Sequence, residues 1–277
     1  MTADLSQTAI LERLGAASAA QVGSENFPVA LGVLPRDPRD KLMRAYAFAR
    51  FVDDVGDEAP GDRLALLDAV DKDVRSLPSG TAALPVVRAL RVLVDAGTPL
   101  EPFLDLIEAN RMDQRVKWYE RFSDLLHYCD YSAAPVGRIV LHIADAATER
   151  NVADSDSVCN ALQVLEHCQD VGEDARAGRV YLPGVDLDEA LAAATSEAVR
   201  HAVATHVALA RGMLQAGRGL VRRLSGWPRL AVAGFVGGGL ATAAALRRAD
   251  YDVLARTVRP SKGRTAGEAA RLWLGRG

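Results

Sequence analysis

Along almost the whole of this 277-residue chain, apolar residues recur at helical spacing, and no stretch sustains the alternation of a half-buried strand. A chain with that single period has one way to hide its apolar stripes, which is to pack helix on helix. The pattern predicts helices over 6–22, 38–57, 61–76, 83–95, 100–114, 122–147, 155–174, 188–224, 228–247 and 250–257. Ser123-Asp124 and Ser155-Asp156 read as N-caps. The segments PGD (60–62), LPSG (77–80), YLPG (181–184) and GWP (226–228) read as breaks. No repeat, low-complexity segment or long linker interrupts the series, so one all-α domain over residues 1–277 is the expectation.

Hydrophobic residues make up 49% and charged residues 25%, enough to build a large core. A net charge of −3 argues against a nucleic-acid binder, so any anionic ligand must be met by local cations. Cys129, Cys159 and Cys168 lack zinc-like spacing and read as reduced thiols of a cytoplasmic protein. The N-terminal segment has acidic residues and no signal-peptide run, so export is not expected. The run LAVAGFVGGGLATAAAL (230–246) is short for a membrane span and rich in Gly and Ala. It reads as a core helix that leaves room beside it.

Two polar stripes lie on apolar helices. At about 100° per residue, Tyr46, Arg50, Asp53 and Asp57 fall within roughly a 60° arc, with Asp54 beside them. The flanks carry Ala45, Ala49, Gly56, Met43 and Ala47, too small or apolar for an ordinary solvated stripe. Arg50 could simply pair with Asp53 or Asp54 on the surface, for ~0.2–0.5 kcal/mol. A second stripe argues for more. Gln163, Glu166, Asp170 and Asp174 fall within roughly an 80° arc, followed by Arg176 and Arg179. Unit charges 4 Å apart interact by about 4 kcal/mol at an effective dielectric of 20. Unpaired carboxylates in such company take up protons or bind cations. Mg²⁺, which favours a few carboxylates, retained waters and phosphate oxygens, is the expected cofactor.

On these residues the chain resembles the squalene and phytoene synthases. The first motif matches Asp53, Asp54 and Asp57, with Tyr46 and Arg50 upstream. The second matches Gln163, Asp170, Gly172, Glu173 and Asp174, followed by Arg179 and Tyr181 in GRVYLP. GSENFPVALGVLP (23–35) resembles the family's N-terminal substrate segment, with Ser24, Asn26 and Phe27. YCDYSAAPVGRIV (128–140) resembles its central helix, with Tyr128, Ala133, Val136 and Gly137; YDVLARTVRPSKG (251–263) resembles its closing helix and basic loop, with Tyr251. The match runs from about residue 24 to 262.

The resemblance implies a single-domain class I isoprenoid synthase bundle with a central cavity. Asp53, Asp54, Asp57, Glu166, Asp170 and Asp174 would hold Mg²⁺ on a substrate diphosphate. Asp53, Asp57, Asp170, Asp174, Tyr46 and Arg50 would be catalytic. Ser24, Asn26, Phe27, Tyr128, Val136, Gly137, Gln163, Arg179, Tyr181 and Tyr251 would bind substrate. Ala133, Gly137, Gly234 and Gly238 would leave volume for its chain.

Two departures carry information. Glu166 stands where most of the family has asparagine, and Gln169 where an arginine is common, removing a cation near the diphosphate. PVGR and NFPVA resemble the hydroxysqualene synthases of bacterial hopanoid pathways, which ionise presqualene diphosphate and let water capture the cation. No G-x-G-x-x-G follows a strand, so no nicotinamide site is expected. The alternatives are a head-to-head prenyltransferase making presqualene diphosphate or a phytoene-type product, and a non-catalytic helical assembly factor. The expected partners are a prenyl diphosphate (presqualene or farnesyl), a membrane surface touched peripherally, and enzymes of the same pathway. His127, His142 and His167 read as core or supporting histidines. Arg247, Arg248, Arg256, Arg259, Lys262 and Arg264 read as a solvated basic face, from which one or two could reach a diphosphate or a membrane.

Overall fold

The computed structural model describes residues 6–22 and 34–275, and among these the regular elements are all helices, with no strand. Ser24, Asn26 and Phe27 lie outside the described residues. The helices are α1 (Gln7–Val22), α2 (Arg36–Asp57), α3 (Arg63–Arg75), α4 (Pro85–Arg88), α5 (Arg91–Asp95), α6 (Glu101–Arg115), α7 (Phe122–Ser132), α8 (Ala134–Ile143), α9 (Glu149–Gln169), α10 (Val171–Arg176), α11 (Leu187–Ala190), α12 (Glu197–Arg223), α13 (Gly226–Arg248) and α14 (Lys262–Trp273). By packing they form two compact units. The first holds residues 1–115 and 139–146, the second 116–138 and 147–277.

In the first unit, α2 packs on α1, α3 and α6. Phe48, Phe51, Val52 and Val55 are wholly buried, and Phe48 meets Phe103 of α6 edge-on, ring centroids 5.6 Å apart. Each such side chain stabilises the fold by ~1.5–3 kcal/mol relative to exposure. Asp62 caps α3 by accepting from the Ala65 amide at 3.0 Å. The helix expected over 83–95 is instead two short pieces joined by tight turns, Leu90 N to Val87 O and Leu93 N to Leu90 O, both 2.9 Å. Val87, Leu90 and Leu93 all point into the core, and three-residue spacing does that only in a tightened backbone.

In the second unit, α12 lies between α9 and α13, and α14 packs along α13. Among the described residues α13 alone is long and apolar enough to cross a bilayer, but half of its apolar window is buried inside the protein. Two of its glycines serve close approach. A Cβ on Gly237 would sit 2.5 Å from the Ala269 backbone nitrogen of α14, and one on Gly239 would sit 2.8 Å from Leu162.

Several expectations need correction. The run 122–147 breaks at Ala133 into α7 and α8, and 155–174 breaks at Asp170. The run 188–224 splits into α11 and α12, the latter capped by Ser196. Neither Ser123-Asp124 nor Ser155-Asp156 caps a helix: α7 starts after Arg121, and α9 starts earlier, capped by Thr148. Residues 250–257 are not helical. Asp250 and Tyr251 take left-handed backbone (φ 53° and 54°) and end α13, and Thr195 then accepts the Leu254 amide at 3.0 Å. The helix that closes the chain is α14, which the periodicity did not reveal.

Candidate functional site

The first stripe forms on α2, whose apolar back holds it to the core. Its acids differ in environment. Asp54 is buried, with Arg50 Nε donating to its Oδ1 at 2.9 Å and the Ser18 hydroxyl to its Oδ2 at 2.8 Å. That fixes it as part of the packing, and the surface pairing foreseen for Arg50 is realised with Asp54. Asp53 and Asp57 are exposed, and Tyr46 and Arg50 are half-buried. Asn110 of α6 donates from Nδ2 to Asp53 Oδ1 at 3.0 Å. The same asparagine explains Gly56, since a Cβ there would lie 2.1 Å from Asn110 Oδ1. Gln114, one turn on, donates to the Gly56 carbonyl at 3.0 Å.

Although Asp53 is exposed by surface area, protein crowds it, and its carboxyl is pushed up to about 6. Burial is the largest cause; Asp57 and Asp54 add to it, while Asn110 and Arg50 oppose it.

The second stripe sits where α9 gives way to α10. Asp170 ends one helix and starts the next, its carbonyl accepting the Glu173 and Asp174 amides, both at 2.8 Å. Glu166 is exposed, while Gln163, Asp170 and Asp174 are half-buried. His167 is buried between two of them: Nδ1 lies 3.3 Å from Asp174 Oδ2, and Nε2 lies 3.3 Å from the Gln163 amide nitrogen. The imidazole thus bridges the Gln163 amide and the Asp174 carboxylate. Asp170 is pushed up to about 6, by burial first and then by Glu166, Asp174 and Glu173, with His167 opposing.

An aromatic group covers His167. Tyr181 stacks on it, centroids 3.9 Å apart at 16°, and Tyr128 and Tyr119 follow at 5.3 and 6.1 Å from Tyr181. Tyr119 reaches this place because Trp118 bridges to Val180, with the Val180 amide donating to the Lys117 carbonyl at 2.8 Å. Arg179 is half-buried beside it, and its amide donates to the Asp174 carbonyl at 2.9 Å. Electron-rich ring faces of this kind attract positive charge.

A recess of about 400 Å³ opens in the second unit, lined among others by Glu166, Gln169, Asp170, Gly234, Gly238 and Arg259. Gly234 has nothing within 4 Å of a Cβ and Gly238 only Thr265 at 3.9 Å, so these two do leave room. Gly137 does not. A Cβ there would lie 2.4 Å from Ser155 Oγ and 2.6 Å from Cys159 Sγ, so it packs tightly on α9. Ala133 is buried, Val136 is 44% exposed, and Tyr251 is half-buried in the left-handed turn.

Among the described residues no three His, Cys, Asp or Glu side chains converge as a ready-made metal cluster. The donors are nonetheless all hard oxygens, and the upward push on Asp53 and Asp170 is one that a bound cation would relieve. They fit Mg²⁺ as partial ligand sets that water and ligand oxygens would complete. The cysteines are free, with Cys129 and Cys168 buried. Residues missed from the sequence are Asn110, Gln114 and Tyr119. Asn110, Asp113 and Gln114 share one face of α6 at i, i+3, i+4, and Asn110 and Asp113 are buried there; that spacing beside apolar Leu106 and Ile107 is the signal that could have found Asn110 and Gln114.

Comparison with known proteins gives one picture. A family model described as squalene/phytoene synthase matches residues 20–264. A hydroxysqualene synthase of Rhodopseudomonas palustris is 39% identical over 170 residues, 60% of this chain and 57% of that protein. One from Sinorhizobium fredii is 33% identical over 221 residues, 76% of this chain and 75% of its own. The chain thus spans less than two thirds of the Rhodopseudomonas relative. The solved squalene synthase HpnC of Alicyclobacillus acidocaldarius superposes with a TM-score of 0.78 at 40% identity, covering 87% of this chain and 95% of that one. A dehydrosqualene synthase structure shares the all-α fold, TM-score 0.79 at 22% identity over 95% and 96% of the two chains.

Proposed function

The chain belongs to the squalene/phytoene synthase family, and on that premise we propose that it converts presqualene diphosphate to hydroxysqualene and diphosphate. The observation that carries the reading is the polar chain Gln163–His167–Asp174 beside Glu166 and Asp170, roofed by tyrosines. Relatives named hydroxysqualene synthase at 33–39% identity support it.

Asp53 and Asp57 on α2, and Glu166 and Asp170 with Asp174 in support, are the residues that would hold Mg²⁺ on a substrate diphosphate. Asp54, committed to Arg50 and Ser18, acts as packing. Bound Mg²⁺ supplies Lewis-acid stabilisation of the leaving group's charge. Arg50, and Arg179 at the second stripe, add fixed positive charge that favours the same charge separation. The carbon–oxygen bond breaks, its electron pair leaves with the diphosphate, and the cyclopropylcarbinyl cation rearranges. Tyr128 and Tyr119 stabilise that cation through their rings, while Tyr181, stacked on His167, holds the imidazole in place. Water then forms the new carbon–oxygen bond and loses a proton. The sum is hydrolytic, so no reductant is consumed. The same reading puts the enzyme in the cytoplasm, at the periphery of the membrane that stores its substrate.

Incubation with presqualene diphosphate, Mg²⁺ and ¹⁸O-water, without NADPH, should give labelled hydroxysqualene. Consumption of farnesyl diphosphate with presqualene diphosphate as end product would replace this reading with head-to-head transfer, the activity named by the family's other branch.

A further inference from the structure

We propose that Arg259 supplies the cation that holds the substrate's diphosphate in the recess of the second unit, and that Gln169 is the residue that positions it; this rests on the function proposed above. Gln169 closes the last turn of α9. The glutamine side chain is occupied: its amide Nε2 donates to the backbone carbonyl of Val258. Val258 is itself buried, so the bond and the side chain together pin this segment to α9. The next residue, Arg259, is exposed and lines the same recess as Glu166, Gln169 and Asp170. A cation thus stands on the recess wall, and the neutral amide of Gln169 holds the segment that carries it.

The recess keeps its charges apart. Among the described residues no ion pair joins Arg259 to Glu166 or Asp170, although all three line one space of about 400 Å³. The two carboxylates outnumber the one guanidinium, so a lone anion is repelled, and a divalent cation at Glu166 and Asp170 would reverse the sign of the recess toward an anion. A ligand carrying both signs suits it: a divalent cation toward Glu166 and Asp170, and phosphate oxygens toward Arg259, whose planar fork matches them. A metal diphosphate is that ligand. Gly234 and Gly238 keep the opposite wall open for it.

The test is calorimetric titration of the full chain with inorganic diphosphate in the presence of Mg²⁺. Arg259→Gln should weaken binding about tenfold to a hundredfold, the worth of one hydrogen-bonded charge. Arg259→Lys should fall in between. Gln169→Leu, which leaves Arg259 but removes its anchor, should also weaken binding, and should add little once Arg259 is gone. Gln169→Arg placed on Arg259→Gln should recover part of the loss, which a merely structural role for either residue would not allow. Arg271→Gln, on the exposed side of α14, is the control for net charge and should bind as the wild type does. Unchanged affinity in Arg259→Gln overturns the inference. If Asp170→Asn still abolishes binding in that case, the proposed function stands and only the role of Arg259 falls; if the wild-type chain binds no Mg²⁺-diphosphate, both fall.

Discussion

In the first unit three aspartates ride one unbroken helix, and the protein has already neutralised one of them. Asp54 carries Arg50 and Ser18, Asp53 leans on Asn110, and Gly56 exists to let that asparagine in. In the second unit the helix itself gives way at Asp170, and among the described residues no arginine is bonded to Glu166 or Asp170. Asp174 instead faces a buried histidine, and the nearest lining cation, Arg259, stands off on a separate segment. Both regions raise one aspartate to about 6, and burial is the leading cause in each. Acids of one type, placed at helical spacing, therefore become two different devices. The first is pre-paired and rigid, and the second leaves charge for a ligand to satisfy.

The largest effect should come from removing one acid of each device. Asp53→Asn and Asp170→Asn should each lower turnover by about 10²–10³-fold, with helical content by circular dichroism unchanged. If only one of the two is needed, the symmetry assumed in the proposed mechanism is broken. Next in size is packing. Gly56→Ala forces Asn110 aside and should destabilise the first unit by roughly 1–3 kcal/mol in urea unfolding. Gly234→Ala, which meets nothing, should instead gain about 0.5–1 kcal/mol from helix propensity. Gly137→Leu should lose stability against Ser155 and Cys159, so lost activity in that variant would say nothing about substrate volume.

The smallest expected effect is on pH dependence. Asp170 has its folded value raised from 3.8 to about 6, so the folded state binds the extra proton between those values. Its contribution to stability is present below about pH 4 and is lost as the pH climbs to about 6. Asp170→Asn removes that loss. In chelator, the stability of this variant relative to wild type should therefore rise between pH 4 and 6, by about 1 kcal/mol after solvent screening. A flat difference would mean that Asp170 ionises freely, and the second device would then not be charge-starved. Adding Mg²⁺ should restore the wild type above pH 6 and leave the variant unmoved.

Much of this was legible beforehand because helices and stripes are local. The period of Phe48, Phe51, Val52 and Val55 fixes which face of α2 is core, and the two acidic arcs follow from spacing alone. The failures share a cause. Ser155-Asp156 looks like a cap by chemistry, yet Ser155 is buried against Gly137, and the cap falls to Thr148. Residues 250–257 keep a helical pattern, but left-handed Asp250 and Tyr251 and the Thr195 bond take the backbone elsewhere. The sequence by itself determined an all-α chain, two acidic stripes and a family. The tertiary structure decided that Asp54 is spent inside the core, that Asn110 and His167 orient their neighbours, and that Arg259 stands in the recess where position 169 lacks a charge. The reason is distance along the chain. Spacing of three or four residues fixes what shares a helix face, whereas pairs such as Asn110–Asp53 and Gln169–Val258 exist only once helices far apart in sequence have packed.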